Sequence, residues 1–526
     1  MGPDLSPAST FRHLVRRDPR ATSIVDERTA YTAAEVQRAA TDLAARLRAD
    51  GIRPGDRVAF AGRNSAAFLV TLLAAACVGA VFVPVSFRLA AAEVRALLSH
   101  CDPHTVVVDD ELAGTYARVV ADEPHRHWHD ARDATPVALS ADLHPLRAHA
   151  DDAEPVRLGA DDLAVIMYTS GTSGAPKGVM LTHGNLWWSA RNIDQVLDTR
   201  DDDVTLAVAP MSHIGGLNAF TLRTLLRGGT VLSRRAFDAT RTLTDLSTGV
   251  TSVFGVPAMF AAVARTPGFA TADLSGVRAA TIAGATAPPS LVRAYVERGM
   301  HLQQSWGMTE TAPSATYLPR RWTVEKAGSC GVPLPWTELR LDDPATGATV
   351  DASGTPGEIV VRGPNVTQGY WNAPDLTRAA STSDGWLRTG DLAVRDEDGC
   401  LTVVGRLTQM INTGGEKVYP CEVERALQDL LGDDVLDLVV LGLPDPQWGE
   451  TVVVALETTG PCPSLEQVRE LAARSIARFK LPTRVVAVPE LPRNATGKVD
   501  RCALRTLVEL TPDRQPEAAD RQGCAG

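Results

Sequence analysis

The chain has 526 residues, 44% of them hydrophobic, which supplies enough apolar surface for a large core and too much for a disordered polymer. A formal charge of -11 argues against nucleic acid as a main partner, because its binders carry a basic face, and leaves a small-molecule substrate as the expectation. The eight cysteines, at 77, 101, 330, 400, 421, 462, 502 and 524, contain no Cys-x-x-Cys pair, which argues against a zinc ribbon or redox motif and for reduced thiols in a cytoplasmic protein.

The N-terminal residues have no apolar core of signal-peptide length. MGPDLS fits the myristoylation pattern formally, but Pro3 and Asp4 mark the match as chance. From Arg57 the chain alternates. RVAF reads as a strand, and the uncharged run FLVTLLAAACVGAVFVPVSF (68–87) is about long enough to span a bilayer. Gly79 and Pro84 split that run into a buried helix over about 65 to 78 and a strand over about 80 to 85, so no membrane span is expected. A helix around Leu89 to Ser99 and a strand at HTVVVDD follow, which makes βαβ units on parallel sheet.

LAVIMYTS then reads as a strand ending in a loop, and a second alternating run spans about 203 to 302 with strands at VTLAVAP, GGTVLS, VTSVFGVP and VRAATIAG. After about Thr337 short strands and a DEDG turn mark a small β-rich unit. Beyond Arg406, helical patterns at 420–431 and 464–478 flank strands at LDLVVLGLP and ETVVVALET, an α+β domain of about a hundred residues. The polar stretch 511–526 reads as a disordered tail. The expected fold is α/β, with two βαβ-type subdomains and the β-rich unit in a large N-terminal domain, 1–404, and the α+β domain at 410–510.

The chemistry concentrates in short motifs. In YTSGTSGAPKGVMLTHGN (168–185), four glycines and six hydroxyl side chains surround one lysine. Backbone N–H groups of Gly171, Gly174 and Gly178, hydroxyls of Thr169, Ser170, Thr172 and Ser173, and the charge of Lys177 suit a phosphate. This is no Walker loop, because Pro176 precedes the lysine and Gly178 follows it, leaving no hydroxyl after the lysine for magnesium.

At this motif the chain resembles the adenylate-forming superfamily, which includes acyl-CoA synthetases, luciferases and the adenylation domains of peptide synthetases. Further motifs recur in the family's order over nearly the whole chain. In QSWGMTET the resemblance places Ser305, Trp306, Gly307 and Met308 on ATP, with Trp306 packing on adenine where the family usually has Tyr. It also places Thr309 at the α-phosphate and Glu310 as Mg²⁺ ligand, with Thr172 of the loop as a second metal contact. In AGATAPP it places Gly284, Ala285 and Thr286 along the adenine and the acid pocket. It assigns Asp391 of WLRTGDLA and Arg406 to the ribose, and His213, Gly215 and Gly216 of PMSHIGGLN to the acid pocket.

Residues 405–409 correspond to the family's hinge, where Thr408 replaces the usual Asp or Lys. Gly414, Gly415 and Lys417 resemble the face that guides the coenzyme A thiol after the C-terminal domain rotates. Lys498 of LPRNATGKVDR matches the catalytic lysine. Joining a carboxylate to the α-phosphate of ATP brings two anions together, so a bridging cation is required in the transition state.

The resemblance implies ATP, Mg²⁺ and coenzyme A as cofactors or co-substrates, a fatty or aromatic carboxylic acid as substrate, and no nucleic-acid or membrane partner; it leaves the oligomeric state open. Three readings stand at this point. The first is an AMP-forming acid–CoA ligase. In the second, the acceptor is a carrier-protein thiol or an amine, or the activated oxyanion is nitrite. The third is a nucleotide-binding module without catalysis.

Overall fold

The chain is described by a computed structural model over residues 3–112, 114, 119, 155–170, 176–428, 430–431, 434–493 and 499–511. They divide into two units, Met1–Thr389 with Ala393–Val403, and Gly390–Leu392 with Val404–Gly526.

The first unit opens with elements that local pattern left unread. Ser6 starts helix Pro7–Arg17, and strands β1 (Thr22–Asp26) and β2 (Thr29–Thr32) lead into helix Ala33–Ala49. A reciprocal capping box begins that helix: Thr32 N–H donates to Glu35 Oε2 at 2.8 Å and Glu35 N–H to Thr32 Oγ1 at 3.3 Å. The expected alternation follows as β3 (Arg57–Gly62), helix Ala66–Val78, β4 (Val81–Ser86), helix Ala91–Cys101 and β5 (Thr105–Val108). All residues of Ala66–Val78 are buried, and Gly79 ends the helix at φ 73°. Among the described residues no helix is long and apolar enough to cross a membrane.

Strands β6 (Leu163–Ser170) and β7 (Pro176–Thr182) complete a five-stranded sheet of order β5-β3-β4-β6-β7, parallel except for the antiparallel β6–β7 pair. Here the structure corrects the view of 168–185 as one loop. PKGVMLT is a strand, with Lys177 opposite Thr169 and Gly178 opposite Tyr168. Gly178, Val179, Leu181 and Thr182 are all buried, so both faces lie in the interior and the alternation that betrays a strand is erased.

The second alternating run supplies β8 (Val204–Ala207), β9 (Thr230–Ser233), β10 (Ser252–Gly255), β11 (Ala279–Ile282) and β12 (Leu302–Gln304). The seven-stranded sheet has order β12-β11-β10-β8-β9-β1-β2, parallel from β12 to β1 and closed by antiparallel β2. The N-terminal hairpin thus joins strands some two hundred residues away. After the pair β13 (Thr316–Tyr317) and β14 (Val332–Pro333), a four-stranded sheet runs in sequence order through β15 (Glu338–Asp342), β16 (Gly357–Arg362), β17 (Leu387–Arg395) and β18 (Leu401–Arg406).

The second unit contains β19 (Ile411–Thr413), β20 (Glu416–Val418), β21 (Val435–Asp445), β22 (Gly449–Thr458) and β23 (Arg484–Val488), ordered β20-β19-β22-β21 with β23 parallel to β22. Helices Pro420–Gln428, Leu465–Ala472 and Arg501–Leu510 accompany them. The helix expected over 464–478 stops at Ala472, because the N–H groups of Ser475 and Ile476 both return to the Ala472 carbonyl in a tight turn. Residues 512–526 of the expected tail, Cys524 among them, lie outside the described residues; the described cysteines are free thiols.

Candidate active site

Strands β8, β10, β11 and β12 run parallel, so the segments leaving their carboxyl ends share one edge of the sheet, the place where open α/β sheets bind ligands. These segments carry His213, Val256, Gly284 to Thr286, and Ser305 to Glu310 respectively. The sequence motifs of this unit therefore converge on one rim although about a hundred residues separate the first from the last.

The loop after β12 is rigidly held. Ser305 Oγ donates to the Thr316 carbonyl at 2.7 Å, and Trp306 N–H donates to Thr316 Oγ1 at 3.0 Å. The Trp306 carbonyl accepts from Ala315 and Thr316 at 2.9 and 3.1 Å. The indole is 8% exposed and packs with Leu341, Ile359, Val361 and Leu387. Gly307 is required by space alone, since a Cβ there would lie 2.0 Å from the Pro313 carbonyl oxygen.

Two buried asparagines that sequence reasoning missed support the end of this loop. Asn218 Nδ2 donates to the Ala312 carbonyl at 2.7 Å, and Asn365 Nδ2 to those of Thr311 and Ser314 at 2.9 and 3.1 Å. Ala312 itself sits at φ 55°, a left-handed conformation that these contacts hold.

Within the short turn Thr309–Thr311, Glu310 is 6% exposed. Its Oε1 accepts from Tyr370 Oη at 2.8 Å, and burial together with that neighbouring carboxylate pushes the Tyr370 phenol above its usual range. Among the described residues no group of three or more His, Cys, Asp or Glu side chains gathers as a metal site. Magnesium commonly takes one or two protein carboxylates and completes its shell with phosphate and water, so a lone buried Glu310 fits that donor set.

After β11, Gly284 at φ 88° and Ala285 are exposed and Thr286 is half-buried, an open shelf beside the loop after β12. After β8, His213 is half-buried at the start of helix Ile214–Asn218. The two glycines that follow it are closely packed on their Cβ side. A Cβ on Gly216 would meet the Pro210 carbonyl oxygen at 2.2 Å, and one on Gly215 would meet the Phe254 ring at 2.5 Å. The protein itself fills both spaces. Phe254, half-buried near the carboxyl end of β10, thus packs on Gly215, two residues after His213, where sequence gave no sign of it.

In the other sheet, Thr169 and Lys177 face each other at the end of the β6–β7 pair and Ser170 ends β6. Gly171, Thr172, Ser173 and Gly174 lie outside the described residues, as does Lys498.

The second unit brings Asp391 and Arg406 together. Arg406 Nε donates to Asp391 Oδ1 at 2.6 Å, with the carboxylate side chain 8% and the guanidinium side chain 46% exposed. Thr408 lies in the short turn Leu407–Gln409. Gly414 and Gly415, at φ 59° and 87°, make the β19–β20 turn, and Lys417 on β20 is exposed. Trp448, 51% exposed, stacks so closely over Gly414 that a Cβ there would lie 2.8 Å from the indole. This apolar platform over Gly414 was not legible from the motif alone.

Parallel strands that end in a tightly held loop with a buried carboxylate have the form in which open α/β sheets bind ligands. Residues 11–371 match the AMP-binding enzyme family, and 422–498 match the C-terminal domain of AMP-binding enzymes. The chain is similar to a feruloyl-CoA synthase of an Amycolatopsis species, 40% identical over 92% of this chain and 95% of the relative. It is 39% identical to an indoleacetate–CoA ligase of Aromatoleum aromaticum over 89% and 91% of the two chains. The structure of o-succinylbenzoate CoA synthetase from Bacillus subtilis, in complex with its acyl-adenylate intermediate, superposes with a TM-score of 0.83 at 28% identity, covering 97% of this chain and 99% of that one. The chain belongs to the AMP-binding enzyme family and is an AMP-forming acid–CoA ligase, which activates a carboxylic acid with ATP and transfers the acyl group to coenzyme A.

Proposed function

We propose that the acid is aromatic and that its ring lies against Phe254. The observation that carries this is the half-buried Phe254 ring seated over Gly215, two residues after His213, at the carboxyl end of β10. A flat ring gains contact area and edge-to-face packing there that an alkyl chain of equal volume does not. The names of the feruloyl and indoleacetate ligases support the same choice.

In the proposed mechanism one carboxylate oxygen attacks the α-phosphorus, and the bond to pyrophosphate breaks. Lys177 and the loop 171–174 hold the departing phosphates, and Thr309 donates to the α-phosphate. Lys498 bridges the two reacting anions. Mg²⁺ held by Glu310, with Thr172 as a second contact, would spread the phosphate charge. Trp306 and the shelf Gly284 to Thr286 wall the base, while Asp391 and Arg406 hold the ribose. In the second step the coenzyme A thiolate attacks the acyl carbonyl and AMP leaves, with Gly414, Gly415, Lys417 and Trp448 as the surface along which the thiol arm lies and 405–409 as the hinge.

The test is a panel of cinnamic, arylacetic, benzoic and straight-chain acids, scored for AMP release and thioester formation with and without coenzyme A. Aromatic acids should give the highest kcat/KM, and Phe254→Ala should narrow that preference. A higher kcat/KM for straight-chain acids overturns the proposal. AMP release indifferent to coenzyme A, with trapping by an amine, would move the second step to another acceptor.

A further inference from the structure

We infer that Tyr370, which lies outside the motifs read from the sequence, is a positioning residue for the carboxylate of Glu310. The inference rests on the proposed role of Glu310 as Mg²⁺ ligand. Tyr370 lies sixty residues further along the chain, on the extended segment Thr367 to Trp371, and reaches Glu310 by its hydroxyl at 2.8 Å. A second contact from the same segment, Thr367 N–H to the Glu310 carbonyl at 2.7 Å, fixes the backbone of the residue whose side chain Tyr370 orients.

The same segment also grips β7. Met180 N–H donates to the Gly369 carbonyl at 3.0 Å, Trp371 N–H to the Gly178 carbonyl at 2.8 Å, and Thr367 Oγ1 to the Met180 carbonyl at 2.5 Å. Five consecutive residues thereby tie the strand bearing Lys177 to the loop bearing Glu310. The segment is itself stiff. Gly369 adopts φ 137° with no room for a Cβ, which would lie 2.5 Å from Thr377 Cγ2, and Thr377 Oγ1 accepts from Tyr370 N–H at 3.0 Å.

A glutamate has three side-chain torsions, so a buried ligand carboxylate needs an outer partner to keep one oxygen toward the metal. Tyr370, 9% exposed, is placed to be that partner. Its hydroxyl holds Oε1 and so sets the rotation of the carboxylate. Its ring stays buried whether or not the hydroxyl is present, which separates positioning from packing.

The experiment measures ATP binding to the intact enzyme by calorimetry, without acid, once with Mg²⁺ and once in EDTA, for wild type, Tyr370→Phe and Glu310→Gln. The readout is the ratio of the two dissociation constants, which reports the metal-linked part of binding and not the fold. Tyr370→Phe should lower that ratio about tenfold while leaving the EDTA constant and the thermal midpoint near wild type. Glu310→Gln should abolish it. A ratio unchanged in Tyr370→Phe but lost in Glu310→Gln overturns the positioning role alone. A ratio unchanged in Glu310→Gln overturns the metal role and the inference with it. Equal weakening with Mg²⁺ and in EDTA, or a collapsed midpoint, in Tyr370→Phe makes the hydroxyl merely structural and also overturns it.

Discussion

Gly307→Ala adds one methyl group to the loop after β12 and tests whether the loop's position matters as much as its side chains. The new Cβ would stand 2.0 Å from the Pro313 carbonyl oxygen, 2.8 Å from Ser314 Cα and 2.9 Å from the Pro313 carbonyl carbon. All three are backbone atoms, so no flexible side chain can yield. Restoring ordinary contact means separating the two backbones by more than about 1 Å. That movement works against the bonds from Ala315 and Thr316 to the Trp306 carbonyl and from Thr311 Oγ1 to the Pro313 carbonyl. Overpacking of this kind costs about 1 to 3 kcal/mol, and each weakened hydrogen bond adds up to about 1 kcal/mol. The loop carries Trp306, Thr309 and Glu310, and a displacement of about 1 Å at a reacting centre lowers turnover on the order of a hundredfold. The assays are acid-dependent ATP–pyrophosphate exchange and the thermal midpoint, with Gly276→Ala, whose Cβ meets nothing within 4 Å, as the control. Exchange and midpoint both at wild-type values in Gly307→Ala would refute the claim that this loop is held at its position by close packing.

Asn365→Ala leaves the carbonyls of Thr311 and Ser314 without this donor and the Thr337 hydroxyl without its acceptor at a site that is 0% exposed, and should cost about 3 to 5 kcal/mol of stability. A change below about 1 kcal/mol in urea unfolding would mean that water replaces the amide. His183 is buried, and burial pushes its imidazole down to about 4 from an ordinary value near 6.5. Below pH 6.5 the unfolded chain therefore binds a proton that the folded chain refuses. Stability should fall as pH drops from 6.5 toward 4, by about 2 kcal/mol between about pH 7.5 and about pH 5. Histidine at 183 replaced by glutamine should remove that part of the slope, and identical pH dependence in the two proteins would contradict it.

What was legible in the sequence divides along a physical line. WGMTET and AGATAPP stood out because glycines and particular polar side chains fall together within six or seven adjacent residues. The alternating strands and helices of 57–108 and 203–302 were legible because short apolar runs there are bounded by glycine, proline and charged residues. Strand β7 was not, because it opens on Pro176, Lys177 and Gly178, residue types depleted in strands, as well as losing its alternation to burial, and the N-terminal hairpin was not, because its partner β9 lies two hundred residues on. At Gly215 and Gly216 the missing side chains make room for Phe254 and Pro210, a requirement that the sequence does not display.

The residues that hold the site belong to a different category from those that meet the substrate. Asn218, Asn365 and Tyr370 act on backbone carbonyls and on a carboxylate, targets that several residue types can satisfy, so nothing in HIGGLN or GPNVTQGYWN marks them out by type. A contacting residue is constrained by the chemistry of its ligand, which a short motif can display. A holding residue is constrained only by where the chain returns, here after 53 residues for Asn365 to reach the Ala312 neighbourhood at Thr311 and Ser314, within a range of |i−j| from 51 to 54. Geometry is therefore the only record of the second set. It follows that substitutions at Asn365 and Tyr370 should disturb the site while leaving the motifs read from the sequence intact.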